Sequence, residues 1–178
     1  RFKIVNQEKV SLLGVSAKYI DSLKKLNLKI KSKFKLKNLK VICSTGSPLS
    51  NEGFEYIYKN VKKNVHLSSI SGGTDIVSCF VLGNIYQPVY SGEIQANGLG
   101  LDVKVYSEKG KSKINQKGEL VCCSPFPCVP IKFWKDNNNK KFEKAYFKRF
   151  KNTWHHGDYA LKTTVSYTHL TLPTTGVV

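Results

Sequence analysis

The sequence predicts an α/β fold, with a parallel-sheet βαβ subdomain followed by a smaller, mostly antiparallel β subdomain. Three observations carry this expectation. Between Leu39 and Asp75 a short β-branched run, a Gly/Ser/Pro loop, an amphipathic segment, a second apolar run and a second glycine loop follow one another, which is the strand-loop-helix-strand-loop rhythm of a parallel sheet. From Gly92 onward the short runs GEIQA, LDVKVYS and GELVCCS are separated by Gly, Asn and Lys-rich turns with no helical stretch between them, the pattern of an antiparallel sheet or small barrel. The 178 residues are 40% apolar with 9 Phe and 9 Tyr, enough to bury a substantial core and too much for a disordered tail or a fibre.

Taken in order, a helix is expected over Ser16 to Leu26. Ser16 can cap it, and Tyr19, Ile20, Leu23 and Leu26 fall at helical spacing. The next stretch, LNLKIKSKFKLKNLKVI, alternates Leu28, Ile30, Phe34 and Leu36 with five lysines, and its period of two predicts a solvated strand edge or an extended linker. A buried strand follows over Leu39 to Ser44. Pro48 and Ser50 mark the start of a second helix whose apolar face is Phe54, Ile57, Tyr58 and Val61. A second strand covers Val65 to Ile70. After the three antiparallel runs come a charged helix, Lys140 to Phe150, and a last strand, Trp154 to Leu161. The change of pattern places a subdomain boundary near residue 91, dividing 1–91 from 92–164. The ending VSYTHLTLPTTGVV contains no Lys, Arg, Asp or Glu and is rich in Thr, so Val165 to Val178 is read as a non-native tail. The chain has no Met and opens on Arg1, and it is read as a piece of a longer protein.

Twenty-nine basic residues against 12 acidic ones leave a formal charge of +17. Only Arg1 and Arg149 are arginine. Nucleic-acid grips favour the bidentate guanidinium, whereas these lysines are spread over both halves without aromatic platforms beside them. A lysine-rich nucleic-acid-binding module is therefore the second reading of the charge, one that requires strongly salt-dependent binding. The five cysteines, Cys43, Cys79, Cys122, Cys123 and Cys128, form no CxxC pair and read as free thiols in a reducing, cytoplasmic setting. No apolar run approaches the roughly 18 to 20 residues of a membrane span.

Three loops carry the candidate chemistry. Ser44 to Ser50 (STGSPLS) leaves the carboxyl end of a predicted parallel strand, where ligands of open α/β sheets bind, although a Gly-Ser-Pro turn capping a helix needs no ligand. Ser69 to Asp75 (SISGGTD) follows the next strand. Gly72 and Gly73 can present amides to an anion, Thr74 adds a hydroxyl, and Asp75 offers a carboxylate to a hard cation such as magnesium; a glycine turn with an Asx cap is the alternative. In Trp154 to Tyr159 (WHHGDY), His155 and His156 point to opposite faces of a strand and cannot readily share a metal, while Asp158 after Gly157 suits a diol.

In their order and spacing, the stretches LLGVSAKYI, STGSPLS, SISGGTDIVSCF, PVYSGEIQA, GELVC, AYF and WHHGDY resemble the adenylate-forming superfamily of acyl-CoA synthetases, from about Arg1 to Lys162. The resemblance implies that the chain is part of the large N-terminal domain of such an enzyme and that ATP, magnesium and CoA are its cofactor and co-substrates. Gly46, Ser47 and Pro48 would lie beside the adenine, and Ser69, Ile70, Ser71, Gly72, Gly73 and Thr74 would wrap the nucleotide. Thr74 would contact the adenylate phosphate, Asp75 would stand in place of the usual magnesium-binding Glu, and Asp158 would bind both ribose hydroxyls. Thr74 and Asp75 are the expected catalytic pair. Ser71 departs from the aromatic residue common at its position, and with Gly72 it leaves room that fits the acetoacetate branch. The implied reaction makes an acyl-AMP and transfers the acyl group to CoA; an acetyl- or propionyl-type specificity and a non-catalytic homologue are the alternatives within the superfamily. The partners expected are small molecules, with no specific nucleic acid and no membrane span. Neither the superfamily's phosphate loop nor its C-terminal lysine occurs in the sequence, so the chain by itself is expected to be inactive.

Overall fold

A computed structural model describes residues 1–165 and 167–171. Its contacts divide the chain into two compact units: Arg1–Ser71 with Gly83–Gln95, and Gly72–Leu82 with the chain from Ala96 onward.

The first unit is a three-stranded sheet with helices. It contains α1 (Phe2–Gln7), β1 (Leu12–Ser16), α2 (Ala17–Lys25), α3 (Ile30–Lys33), β2 (Val41–Thr45), α4 (Asn51–Tyr56) and β3 (His66–Ser69). The sheet order is β1-β2-β3, and both pairings are parallel, with Cys43 opposite Gly14 on one side and Ser68 on the other. The expected parallel βαβ arrangement is present, with β1 and α1 added to it. Ser16 caps α2 as its position suggests, its hydroxyl accepting from Tyr19 N at 3.1 Å. Ser50 caps α4 in the same way, accepting from Gly53 N at 3.2 Å. The helix then widens into a π-helical turn over Ile57–Val61, keeping Phe54, Ile57 and Val61 in a core shared with Ile20, Leu39, Ile42 and Leu67.

The lysine-rich stretch is neither a strand edge nor a simple linker. Its first part winds into α3, and the chain then turns so that Ile30, Leu36 and Leu39 are all buried. Leu36 adopts φ 46°, and the turn is held from below by the Lys62 ammonium, which donates to the carbonyls of Leu36 (2.6 Å), Lys37 (3.2 Å) and Leu39 (2.6 Å). A single half-buried cation that collects three carbonyls outweighs the alternating pattern, which reports exposure and not pairing.

The first unit also takes back Gly83–Gln95, a segment that the change of sequence pattern near residue 91 would divide. Gly83 N donates to Ser68 Oγ at 2.9 Å, and the Gln95 side-chain amide donates to the carbonyls of Asn84, Gln87 and Pro88.

In the second unit β4 (Ser71–Gly73, of which Ser71 is the last residue of the first unit), β5 (Ser78–Leu82) and β6 (Ala96–Asn97) form a small sheet, and β7 (Val103–Tyr106), β8 (Lys117–Cys122), β9 (Trp154–Lys162) and β10 (Thr168–Thr171) form an antiparallel one in the order β10-β9-β8-β7. LDVKVYS and GELVCCS form antiparallel strands as expected, whereas of GEIQA only Ala96 enters a strand, β6, which pairs with β5 in the smaller sheet. The charged helix α5 is shorter than the sequence suggests, Lys140–Tyr146. Part of the Thr-rich ending pairs with β9, Thr168 opposite Lys162, because backbone pairing asks little of the side chains. Residues 166 and 172–178 of that ending lie outside the described residues. Among the described residues no helix is long and apolar enough to cross a membrane, and all five cysteines are free thiols.

Phe54 is 2% exposed and Leu26 69%. Phe54→Ala is expected to lower stability by about 3 to 5 kcal/mol, and Leu26→Ala by less than about 0.5 kcal/mol. Urea unfolding checks both; equal losses would mean that the core is misplaced.

Candidate functional site

Within the first unit the two candidate loops leave neighbouring parallel strands at the same level. Ser44 stands opposite Ser69 in the register, and Ile70 N donates to Ser44 O at 2.9 Å. After β2 the chain turns at Gly46, whose φ of +80° lies in a region that residues with a Cβ avoid. Ser47 and Pro48 are half-buried, and Leu49 anchors the loop in the core. Ser44 Oγ is wholly buried and has no hydrogen-bond partner among the described residues. Ser69 and Ser71 are buried and Ile70 is half-buried.

Gly72, Gly73, Thr74, Asp75 and Asp158 belong to the second unit. The glycine loop expected after β3 opens with a further strand, β4, and Thr74 and Asp75 are exposed in the turn that leads to β5. Gly72 has a steric reason to be glycine: a Cβ there would lie 2.0 Å from the Ser78 carbonyl oxygen and 2.6 Å from Cys79 Cα. The Asp75 carboxylate accepts a hydrogen bond from the Tyr146 hydroxyl. Burial, and then that bond to a carboxylate, push the Tyr146 hydroxyl well above the usual tyrosine range, so it remains a donor. The Tyr146 ring in turn lies flat on Trp154, centroids 3.7 Å apart and 13° between planes.

Asp158 sits in a bulge. Glu119 of β8 faces Tyr159 and Val121 faces His155, so His156, Gly157 and Asp158 together oppose the single residue Leu120. Gly157 takes φ +93° in this bulge, a re-aiming of side chains that a regular strand cannot give. The two histidines take different carboxylates. His155 Nε2 is 2.8 Å from Glu119 Oε2, and the other Glu119 oxygen meets Arg149 at 3.0 Å. His156 Nε2 lies 3.6 Å from Asp158 Oδ2. Its ring is closed in by Phe80, centroids 4.7 Å apart, and hydrogen-bonds the backbone of Gly72.

Magnesium commonly binds through one or two carboxylates and completes its shell with water and substrate phosphates. An exposed Asp75 fixed by Tyr146 fits that donor set. No group of three or more His, Cys, Asp or Glu side chains that could form an all-protein metal cage occurs among the described residues.

No protein-family model matches the chain. Acetoacetyl-coenzyme A synthetase from Rhizobium meliloti (strain 1021) is 50% identical over 159 residues, 89% of this chain and 24% of that protein. The acetoacetyl-CoA synthetase of Gallus gallus is 47% identical over 156 residues, 88% of this chain and 23% of that protein. The chain is homologous to a segment of the acetoacetyl-CoA synthetases. It spans about a quarter of the length of these curated relatives. The solved acetoacetyl-CoA synthetase from Streptomyces lividans superposes with a TM-score of 0.87 at 31% identity, over 95% of this chain and 27% of that one. The anthranilate CoA ligase AuaEII, solved with anthranoyl-AMP, superposes with a TM-score of 0.76 at 16% identity over 95% of this chain and 30% of that one, which extends the shared fold to a more distant ligase. The α/β fold expected from the sequence is thus the fold of acyl-CoA synthetases.

Sequence reading missed Tyr146, His156 as a neighbour of the glycine loop, and the Arg149–Glu119–His155 cluster. The only signal for Tyr146 was its place in the AYF stretch; the other two depend on strand register.

Burial holds the His156 imidazole below its ordinary 6.5, against the pull of Asp158 and the Gly72 bond. The ring is then neutral in the folded chain, and below pH 6.5 the unfolded chain takes up the proton first, so stability present above that pH is lost as the pH falls through it. Thermal melts from pH 7 to 5 are expected to show this decline. His156→Gln should flatten it, and an unchanged slope in the variant would mean that His156 is not its source.

Proposed function

We propose that the chain is the nucleotide-holding portion of an ATP-dependent acid–CoA ligase. The intact protein would activate acetoacetate or a similar short-chain acid as acyl-AMP, release pyrophosphate, and pass the acyl group to CoA with loss of AMP. The observation that carries this reading is the 50% identity to an acetoacetyl-CoA synthetase over 89% of the chain, a span in which SGGTD and HGD occur in order. The free cysteines suit a reducing, cytoplasmic compartment.

The first half-reaction needs little covalent help from the protein. The acid's carboxylate oxygen attacks the α-phosphorus and the bond to pyrophosphate breaks, so the work lies in holding the two in line and neutralising charge. Gly46, Ser47 and Pro48 are assigned to the adenine side, and Ser69, Ile70, Ser71, Gly72 and Gly73 to the wall around the nucleotide. Thr74 donates its hydroxyl to the α-phosphate. Asp75, oriented by Tyr146, holds the magnesium, which when bound neutralises phosphate charge. Asp158 accepts the ribose hydroxyls from a bulge that turns its carboxylate out of the strand. The lysine excess is read as solvated surface.

Asp75→Ala in the intact protein is expected to slow pyrophosphate exchange by about a hundredfold, the scale of losing one transition-state contact, while acid binding changes much less. Unchanged exchange in a folded variant would remove Asp75 from the chemistry.

Asp158→Ala should raise the Kd for ATP roughly tenfold to a hundredfold, as expected for losing hydrogen bonds to a charged acceptor. By contrast 2′,3′-dideoxy-ATP should bind wild type and variant alike. Wild-type ATP affinity in the variant would make Asp158 a structural carboxylate.

A further inference from the structure

We propose that His156 is a positioning residue that ties the Gly72–Asp75 turn to the Asp158 carboxylate, so that the phosphate end and the ribose end of the nucleotide site are held as one piece. This rests on the assignment of that turn and of Asp158 to the nucleotide.

Four contacts fix the ring. Its side chain is only 12% exposed. Its hydrogen bond to the Gly72 backbone favours the protonated ring, so the ring is the donor and the Gly72 carbonyl the acceptor. A Cβ added to Gly73 would lie 3.3 Å from His156 Cε1, which means that the backbone of the turn packs directly on the imidazole. Phe80 stands against it at 67°, leaving the ring little room to rotate. On its other side Nε2 is 3.6 Å from Asp158 Oδ2. That separation is beyond a direct hydrogen bond, so the neutral His156 ring limits where the carboxylate can go by its bulk, without occupying its oxygen. The bulge makes this possible, because only there do His156 and Asp158 share three β9 residues opposite one residue of β8.

The shape of the side chain matters. A neutral imidazole carries one N–H donor and one acceptor nitrogen on a rigid five-membered ring, the donor serving the turn. Phenylalanine fills the space and supplies neither, and glutamine supplies polar groups on a flexible stem.

The test is a double-mutant cycle on ATP affinity in the intact protein, measured by calorimetry with magnesium present, using His156→Phe, Asp158→Ala and the double variant. His156→Phe is expected to weaken ATP binding by up to about tenfold, the scale of one lost neutral hydrogen bond, with the KM for the acid unchanged. His156→Gln should recover part of the loss. The double variant should bind ATP no more weakly than Asp158→Ala alone, since His156 acts through that carboxylate. Additive losses, or wild-type ATP affinity in His156→Phe, would overturn the positioning role. If His156→Phe fails to fold, the same cycle with His156→Gln decides it, and additivity there overturns the proposal equally. Wild-type affinity in Asp158→Ala would instead bring down the nucleotide-site assignment, and the inference with it; the two failures are thereby distinguished.

Discussion

Parallel pairing of β2 with a strand on each side is the constraint on which the first unit depends. In a parallel sheet all strands point the same way, so the loops that leave them emerge at one end. Ser16, Thr45 and the residues just after Ser69, where the chain leaves each strand, therefore stand at neighbouring points of the register. Everything around β2 serves to hold it there. Ile42 is 1% exposed and shares its core with Ile20 of α2 and Phe54 of α4, and serine caps start both helices, Ser16 directly at the end of β1 and Ser50 after the loop from β2. The Lys62 ammonium beneath the 36–39 turn keeps the chain entering β2 from drifting.

In the second unit the comparable element is the pairing of β8 with β9, and it contains a cost. Glu119 is buried in β8, where an unpaired carboxylate would be strongly unfavourable. Arg149 and His155 each take one of its oxygens, the guanidinium supplying the counter-charge and pinning the segment after α5 to the sheet. A buried ionic cluster of this kind gives little net stability compared with an apolar core, but it fixes register. Register is what the bulge needs. A one-residue slip of β9 would send Asp158 and His156 to the wrong sides.

Aromatic packing joins the remaining pieces. Trp154 lies under Tyr146 and within ring contact of Phe80, Phe126, Phe142 and Phe147. Tyr146 thereby reaches Asp75 with its hydroxyl from a platform that cannot tilt easily, and a carboxylate in an exposed turn acquires a preferred direction.

The sequence by itself determined the helix starts at Ser16 and Ser50, the parallel strands that end in STGSPLS and SISGGTD, the antiparallel character of the second half, and the acyl-CoA synthetase resemblance. These are local matters, set by capping chemistry, hydrophobic periodicity and short motifs that a linear reading contains. The lysine-rich stretch misled because alternation records which side chains meet water and not whether a partner strand is present. Tertiary structure decided the rest: that Gly72 is required by the approach of Ser78 and Cys79, that Tyr146 meets Asp75 across 71 positions of chain, that β9 bulges at His156–Asp158, and that Glu119 is paired with Arg149 and hydrogen-bonded to His155. Each is a contact between segments remote in sequence. Its geometry depends on register and on the space left by other side chains, and no local pattern encodes either.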